Sequence, residues 1–253
     1  MLTRSSGCID LTMRFYRLEI WTLAAIFAIA GLMLAFGHIA EEALEGDATT
    51  FDQSILLFFR NVSDIADPIG PPWMEEAARD VTALGSYAVL SIVTCVVVVY
   101  LFMAHQRTAA VWLLAAVASG VLLSNLLKFT FERPRPDFVP HAVRIFTSGF
   151  PSGHATLSAI TYLTLGAVVA SLHSSIRFKV YFLGLAILLT LAAGISRIYL
   201  GVHYPTDVLA GWCIGAAWAA FCWTVFRGLQ RHGQDPGASR LTGNSGARVR
   251  RNP

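Results

Sequence analysis

At 253 residues, with 55% hydrophobic and 14% charged residues and a mean hydropathy of +0.57, the chain is long enough for one domain but too apolar for an ordinary soluble one. Its net charge of +3 comes from clustered basic residues with no basic helix, finger spacing or aromatic platform, which argues against nucleic acid as a partner. Cys8, Cys95, Cys213 and Cys222 show no metal-type spacing and three of them fall in apolar segments, so neither a disulfide framework nor a structural metal is implied.

Residues 1–17 carry Arg4, Arg14 and Arg17 against Asp10 and read as a cytoplasmic amino-terminal segment. The apolar run at 18–38 is close to the roughly 20 residues that a bilayer span needs. It exceeds the apolar core of a signal peptide and lacks a clean cleavage site, so it reads as a retained first span.

Residues 39–85 are rich in Asp and Glu and poor in Lys and Arg, which places them on the extracytoplasmic side. The turn cluster Asp67-Pro68-Ile69-Gly70-Pro71-Pro72 separates two apolar-periodic stretches, Phe51 to Val62 and Trp73 to Leu84. Both read as short amphipathic helices at the membrane interface.

Further spans are expected at 86–103, 108–127, 153–172, 180–198 and 206–226. Six spans put both termini on one side. The turns at Arg107 and at Arg177/Lys179, and the basic tail at 227–253, then fall inside, as positive charge should. The tail is rich in Gly, Ser, Arg and Asn and is expected to be disordered. The expected fold is an all-α bundle of six membrane-spanning helices, with its catalytic core at 86–226.

One loop departs from this charge rule. Lys128, Arg133, Arg135 and Arg144 lie between spans three and four, on the side that should be poor in such residues. A cation cluster in that position points to a bound anion. Span four then opens on Pro151-Ser152-Gly153-His154, where Ser152 suits an N-cap and Gly153 lets a ligand approach backbone N–H groups at a helix start. His154 follows in the first turn.

The third polar island, Ser196 to Asp207, joins spans five and six on the same outer face. Ionisable groups at a bilayer edge are costly and persist where they pair, line a pathway or do chemistry. His203 precedes Asp207 by four residues, with Pro205 between them as a first helical residue. The carboxylate could then fix the imidazole tautomer and leave the other ring nitrogen to attack or to exchange a proton. Arg197 offers a planar fork for an oxyanion.

Lys128 with Arg135-Pro136, the run Pro151-Ser152-Gly153-His154, and Ser196-Arg197 with His203 and Asp207 together resemble the three-part signature of the type 2 phosphatidic acid phosphatase (PAP2) superfamily. The resemblance covers the core from about Gly85 to Phe226 and also extends to vanadium haloperoxidases, whose vanadate mimics transferring phosphate. It implies that His203 is the nucleophile and that Asp207 orients it. Lys128, Arg135, Arg197, Ser152, Gly153 and Ser196 would bind the phosphoryl group, and His154 would protonate the leaving oxygen and then activate water. No metal and no cofactor is implied.

The implied substrate is a membrane lipid phosphate or diphosphate, of the undecaprenyl diphosphate, phosphatidylglycerol phosphate or phosphatidate class. The implied location is the inner (plasma) membrane, with the site facing outward. A phosphotransferase would use the same residues. A helical transporter is the reading from another class, but it would place ionisable groups near mid-membrane rather than at helix ends. Gly215 and Ala219 form a small-xxx-small pair that could serve a homodimer or packing within the bundle.

Overall fold

In the computed structural model, the described residues, 5–44, 50–131, 133–136 and 148–232, form eight α-helices and no strand. They are α1 (Ser5–Leu44), α2 (Thr50–Phe58), α3 (Pro72–Ala83), α4 (Tyr87–Met103), α5 (Arg107–Thr130), α6 (Gly153–Ser171), α7 (Ile176–Tyr199) and α8 (Pro205–His232). Arg144 of the basic loop and residues 233–253 lie outside the described residues, whereas 227–232, expected to belong to the disordered tail, instead continue α8 to His232.

Five helices are individually long and apolar enough to cross a bilayer, over Ile20–Ala43, Arg107–Thr130, Gly153–Ser171, Ile176–Tyr199 and Pro205–Gln230. In hydrocarbon only a helix satisfies its own backbone polar groups along a single segment. The outward faces agree: Phe27, Leu34, Val96, Val99, Ile187 and Leu188 are all exposed on the bundle surface. The second expected span, 86–103, differs from expectation in one respect. At 17 residues α4 is about 26 Å long, short of a hydrocarbon core of about 30 Å. It reaches the required length together with α3, from which it is bent by 51° across the break at Leu84, Gly85 and Ser86.

The protein is multi-pass, and α6 is its axis. Within the spanning windows α6 is 78% buried, against 11% for α1 and 44% for α8. Its small and hydroxylated residues allow this, because backbones can approach closely and hydroxyls such as those of Thr156 and Ser158 bond within the helix. Thr156 donates to the Ser152 carbonyl at 2.9 Å, and Ser158 donates to that of Ala155 at 3.1 Å. On α8 a Cβ added at Gly211 would lie 2.9 Å from Ser152 O and from Ala155 Cβ, and one at Gly215 would lie 2.6 Å from Ala159 Cβ. Gly215 and the buried Ala219 therefore serve packing inside the bundle.

The same close approach brings the start of α8 beside the start of α6. The short helices complete this end. α2 packs on α8 through Leu56 against Val208 and Tyr204, and α3 packs on α7.

Candidate active site

The start of α6 is built around two backbone ties. Gly149 N–H donates to the Arg133 carbonyl at 2.9 Å, and Ser152 N–H donates to the Asp207 carbonyl at 3.0 Å. Ser152 holds the N-cap position in an extended conformation, but its hydroxyl makes no capping bond. That hydroxyl is fully buried without a partner among the described residues. The Ser152 N–H is engaged with Asp207, so the first-turn N–H groups of Gly153, His154 and Ala155 are the helix-start donors without an intrahelical acceptor. A Cβ at Gly153 would lie 3.1 Å from Lys128 Nζ. The missing side chain lets that ammonium approach the helix start.

The turn between α7 and α8 carries the histidine. Leu200 caps α7, and Gly201 follows at φ +71°, a conformation that suits glycine. Pro205 starts α8, leaving Asp207 in its first turn. His203 is 1% exposed and Asp207 is fully buried. Asp207 Oδ2 accepts from Tyr204 N–H at 2.9 Å and lies 3.4 Å from His203 Nδ1. His203 also has the Gly149 carbonyl as a neighbour, and its buried Nδ1 forms no well-directed hydrogen bond among the described residues.

On the opposite side of the ring, Arg135 Nη1 lies 3.0 Å from Nε2 and donates to the Val202 carbonyl at 2.9 Å. A guanidinium only donates, so Nε2 is the acceptor and the ring proton sits on Nδ1. Burial pushes the His203 pKa well below 6.5, and the charges of Arg135, Arg197 and Lys128 push the same way. The imidazole is neutral, with its lone pair on the side where the cations gather.

Lys128 lies within electrostatic reach of Arg135, Arg197 and Asp207, and His154 lies within reach of Arg197, His203, Lys128 and Arg135. Arg197 donates from Nη1 to Thr82 Oγ1 at 3.3 Å, while its buried Nε has no partner among the described residues. Among the described residues no carboxylate forms a salt bridge with Lys128 or Arg197. Gly85 lies against His154; an added Cβ would meet its Cβ at 3.0 Å and Cδ2 at 3.1 Å. The α3–α4 corner thus walls the site through Thr82 and Gly85. Ser196 behaves differently from the other sequence-derived positions. Its hydroxyl donates to the Ala193 carbonyl at 2.8 Å, back along its own helix.

Arg133 corrects the reading of the loop as one anion-binding cluster, because it is bonded to protein carboxylates. Nη1 donates to Asp207 Oδ1 at 2.7 Å and to Thr206 Oγ1 at 2.8 Å, and Nη2 donates to Asp52 Oδ2 at 2.9 Å. Burial pulls its pKa down, but the charges of Asp207 and Asp52 outweigh this and leave it raised. In the sequence Asp52 counts only among the acidic residues of 39–85 and is not assigned to the site. It falls on the same face of α2 as Leu56, and both are fully buried. A carboxylate on the apolar face of a short helix was the available signal, since such a group must find a partner.

Among the described residues no three His, Cys, Asp or Glu side chains come together as a metal site. The positive charge of this site comes from Lys128, Arg135 and Arg197.

The sequence profile of the PAP2 superfamily matches residues 109–231, which include all nine sequence-derived site residues. Phosphatidylglycerophosphatase B of Bacillus subtilis is 32% identical over 155 residues, covering 61% of this chain and 76% of that protein. The decaprenylphosphoryl-5-phosphoribose phosphatase of Mycobacterium tuberculosis is 34% identical over 133 residues, covering 51% of this chain and 68% of that protein. The fold is similar to the crystal structure of a transmembrane PAP2 type phosphatidylglycerolphosphate phosphatase from Bacillus subtilis. The TM-score is 0.67 at 27% identity, over 81% of this chain and 97% of that one.

Proposed function

The chain belongs to the PAP2 superfamily, and from that premise we propose that it is an integral membrane lipid phosphatase working through a phosphohistidine on His203. The observation that carries this reading is the neutral His203, its Nε2 turned toward Arg135, where Lys128 and Arg197 also gather. The buried, unpartnered Ser152 hydroxyl and Arg197 Nε add donors suited to phosphoryl oxygens.

In the first step Nε2 attacks phosphorus, the P–O bond to the lipid breaks, and the leaving oxygen takes a proton from His154. Arg135 must move from Nε2 onto a phosphoryl oxygen for phosphorus to approach. Asp207 faces the Nδ1–H of the imidazolium that forms. In the second step His154 takes a proton from water, the water oxygen attacks phosphorus, and the P–N bond breaks. Phosphate departs with His203 and His154 restored. Charge on the transferring group is met by Lys128, Arg135, Arg197 and the N–H groups at the start of α6.

The substrate class is a membrane lipid phosphate or diphosphate, in keeping with relatives named for phosphatidylglycerophosphate, decaprenylphosphoryl and undecaprenyl diphosphate substrates. The site sits at the ends of α5, α6, α7 and α8, where a headgroup can reach it while the chains stay in lipid. We assign this end to the outer face of the inner (plasma) membrane, because the Arg107 and Arg177/Lys179 turns lie at the opposite end. Cysteine labelling in intact cells should modify position 64 from outside and position 106 only after permeabilisation; the reverse would invert the orientation.

The activity is tested with purified protein on undecaprenyl diphosphate, phosphatidylglycerol phosphate, phosphatidate and sphingosine phosphate, measuring phosphate and acceptor products together. Phosphate release from at least one of them is expected. Release from none overturns the reading, and transfer to an acceptor instead of water would make the protein a phosphotransferase.

A further inference from the structure

Asp52 stands outside the three motifs, yet it is bound into the site they form. Its Oδ1 accepts from Thr206 N–H at 2.9 Å, and its Oδ2 accepts from Thr206 Oγ1 at 2.7 Å and Arg133 Nη2 at 2.9 Å. The other terminal nitrogen of Arg133 holds Asp207 Oδ1 at 2.7 Å, and the guanidinium lies over the Tyr204 ring at 4.7 Å. Asp52 and Asp207 are fully buried and Arg133 is 6% exposed, so little solvent screens the charges.

We propose that Asp52, acting through Arg133, is a positioning residue for the Asp207–His203 pair, and that α2 is thereby a working part of the catalytic centre. This rests on the phosphohistidine reading above. Two carboxylates share one guanidinium, leaving one net negative charge beside a neutral His203. Without Asp52, Arg133 would neutralise Asp207 outright. With Asp52 on its other nitrogen, Arg133 fixes Oδ1 while Oδ2 keeps its charge toward Nδ1, where the imidazolium develops as phosphorus bonds to Nε2. Asp52 also receives an unsatisfied first-turn N–H of α8, which fixes the helix start that carries Asp207.

A brace that merely fastened α2 would affect stability and leave the chemistry alone. The test is single-turnover phosphohistidine formation by the full-length protein at saturating lipid phosphate, with KM measured alongside. Asp52→Asn is nearly isosteric but uncharged, and should lower that rate about 10- to 100-fold at little change in KM. Asp52→Glu keeps the charge and should recover most of the rate. Asp52→Asn/Arg133→Gln restores the single net negative charge and should be faster than Asp52→Asn alone.

A wild-type rate for Asp52→Asn, or a double variant slower than the single, overturns the proposal. If Asp52→Asn does not fold, Asp52→Glu is compared with Arg133→Lys, whose single ammonium cannot span both carboxylates. The lysine variant should be the slower, and equal rates overturn the proposal. A wild type that forms no phosphohistidine from any lipid phosphate removes the functional reading itself, which is a distinct failure.

Discussion

Arg133 Nη1 lies 2.7 Å from Asp207 Oδ1 across 74 residues of sequence, and both side chains are withdrawn from solvent. The pair fastens the stretch after α5 to the first turn of α8, behind the histidine it supports. Removing one partner of a buried ion pair leaves the other uncompensated, and here two carboxylates would be stranded. Arg133→Ala is therefore expected to destabilise the protein by about 3–5 kcal/mol. Thermal unfolding in detergent checks this, with Arg79→Ala, which breaks an exposed pair with Glu75, as the control that should leave the midpoint unchanged.

The buried His203 sets a stability dependence on pH. Its folded pKa is lowered by burial and by the surrounding cations, so between that value and about 6.5 the unfolded chain takes up a proton that the folded chain does not. The contribution is intact above about pH 6.5 and is lost as pH falls. Unfolding midpoints of wild type and His203→Asn should differ by a constant amount above about pH 7, and the variant should gain on the wild type below it. A difference that does not change with pH would show that His203 titrates normally.

Charge at the proposed phosphate site is supplied by side chains, and this sets the expected response to chelators. Turnover should persist in excess EDTA and be blocked by vanadate. Loss in EDTA with recovery on adding magnesium would contradict the account. Arg197→Lys should lower kcat/KM about tenfold or more despite keeping the charge, because an ammonium cannot reproduce the buried fork that Nε and Nη1 present.

Much of the fold was legible because the bilayer demands long apolar helices, and α1, α5, α6, α7 and α8 announce themselves by length alone. The α3–α4 corner was harder to read, since nothing local says that Gly85 lies against His154 or that α3 and α4 together make up one bent span. The motif residues were legible as three polar islands at helix ends. What sequence could not give was the pairing between islands. Lys128 and Arg133 look alike in a basic loop, but one faces Gly153 at the start of α6 and the other is held between Asp52 and Asp207. That distinction depends on α2 folding back over α8, a contact between distant parts of the chain. Ser196 shows another limit, because its hydroxyl donates to the carbonyl of Ala193 in its own helix and nothing in the sequence says that it does.

The central claim is that His203 carries the phosphoryl group, and trapping that intermediate tests it most directly. Purified protein would be mixed with headgroup-labelled lipid phosphate, quenched in base and mapped for an acid-labile, base-stable phosphohistidine. His154→Ala sharpens the test through the leaving group. A phosphomonoester leaves as an alkoxide and needs the proton, whereas a lipid diphosphate leaves as a phosphate whose second pKa is about 6 and can depart nearly unaided. The account predicts label on His203 in the wild type, none in His203→Ala, and accumulation in His154→Ala from a diphosphate but not from phosphatidate. Label that persists in His203→Ala, or equal loss from both substrates in His154→Ala, would contradict the division of labour between the two histidines.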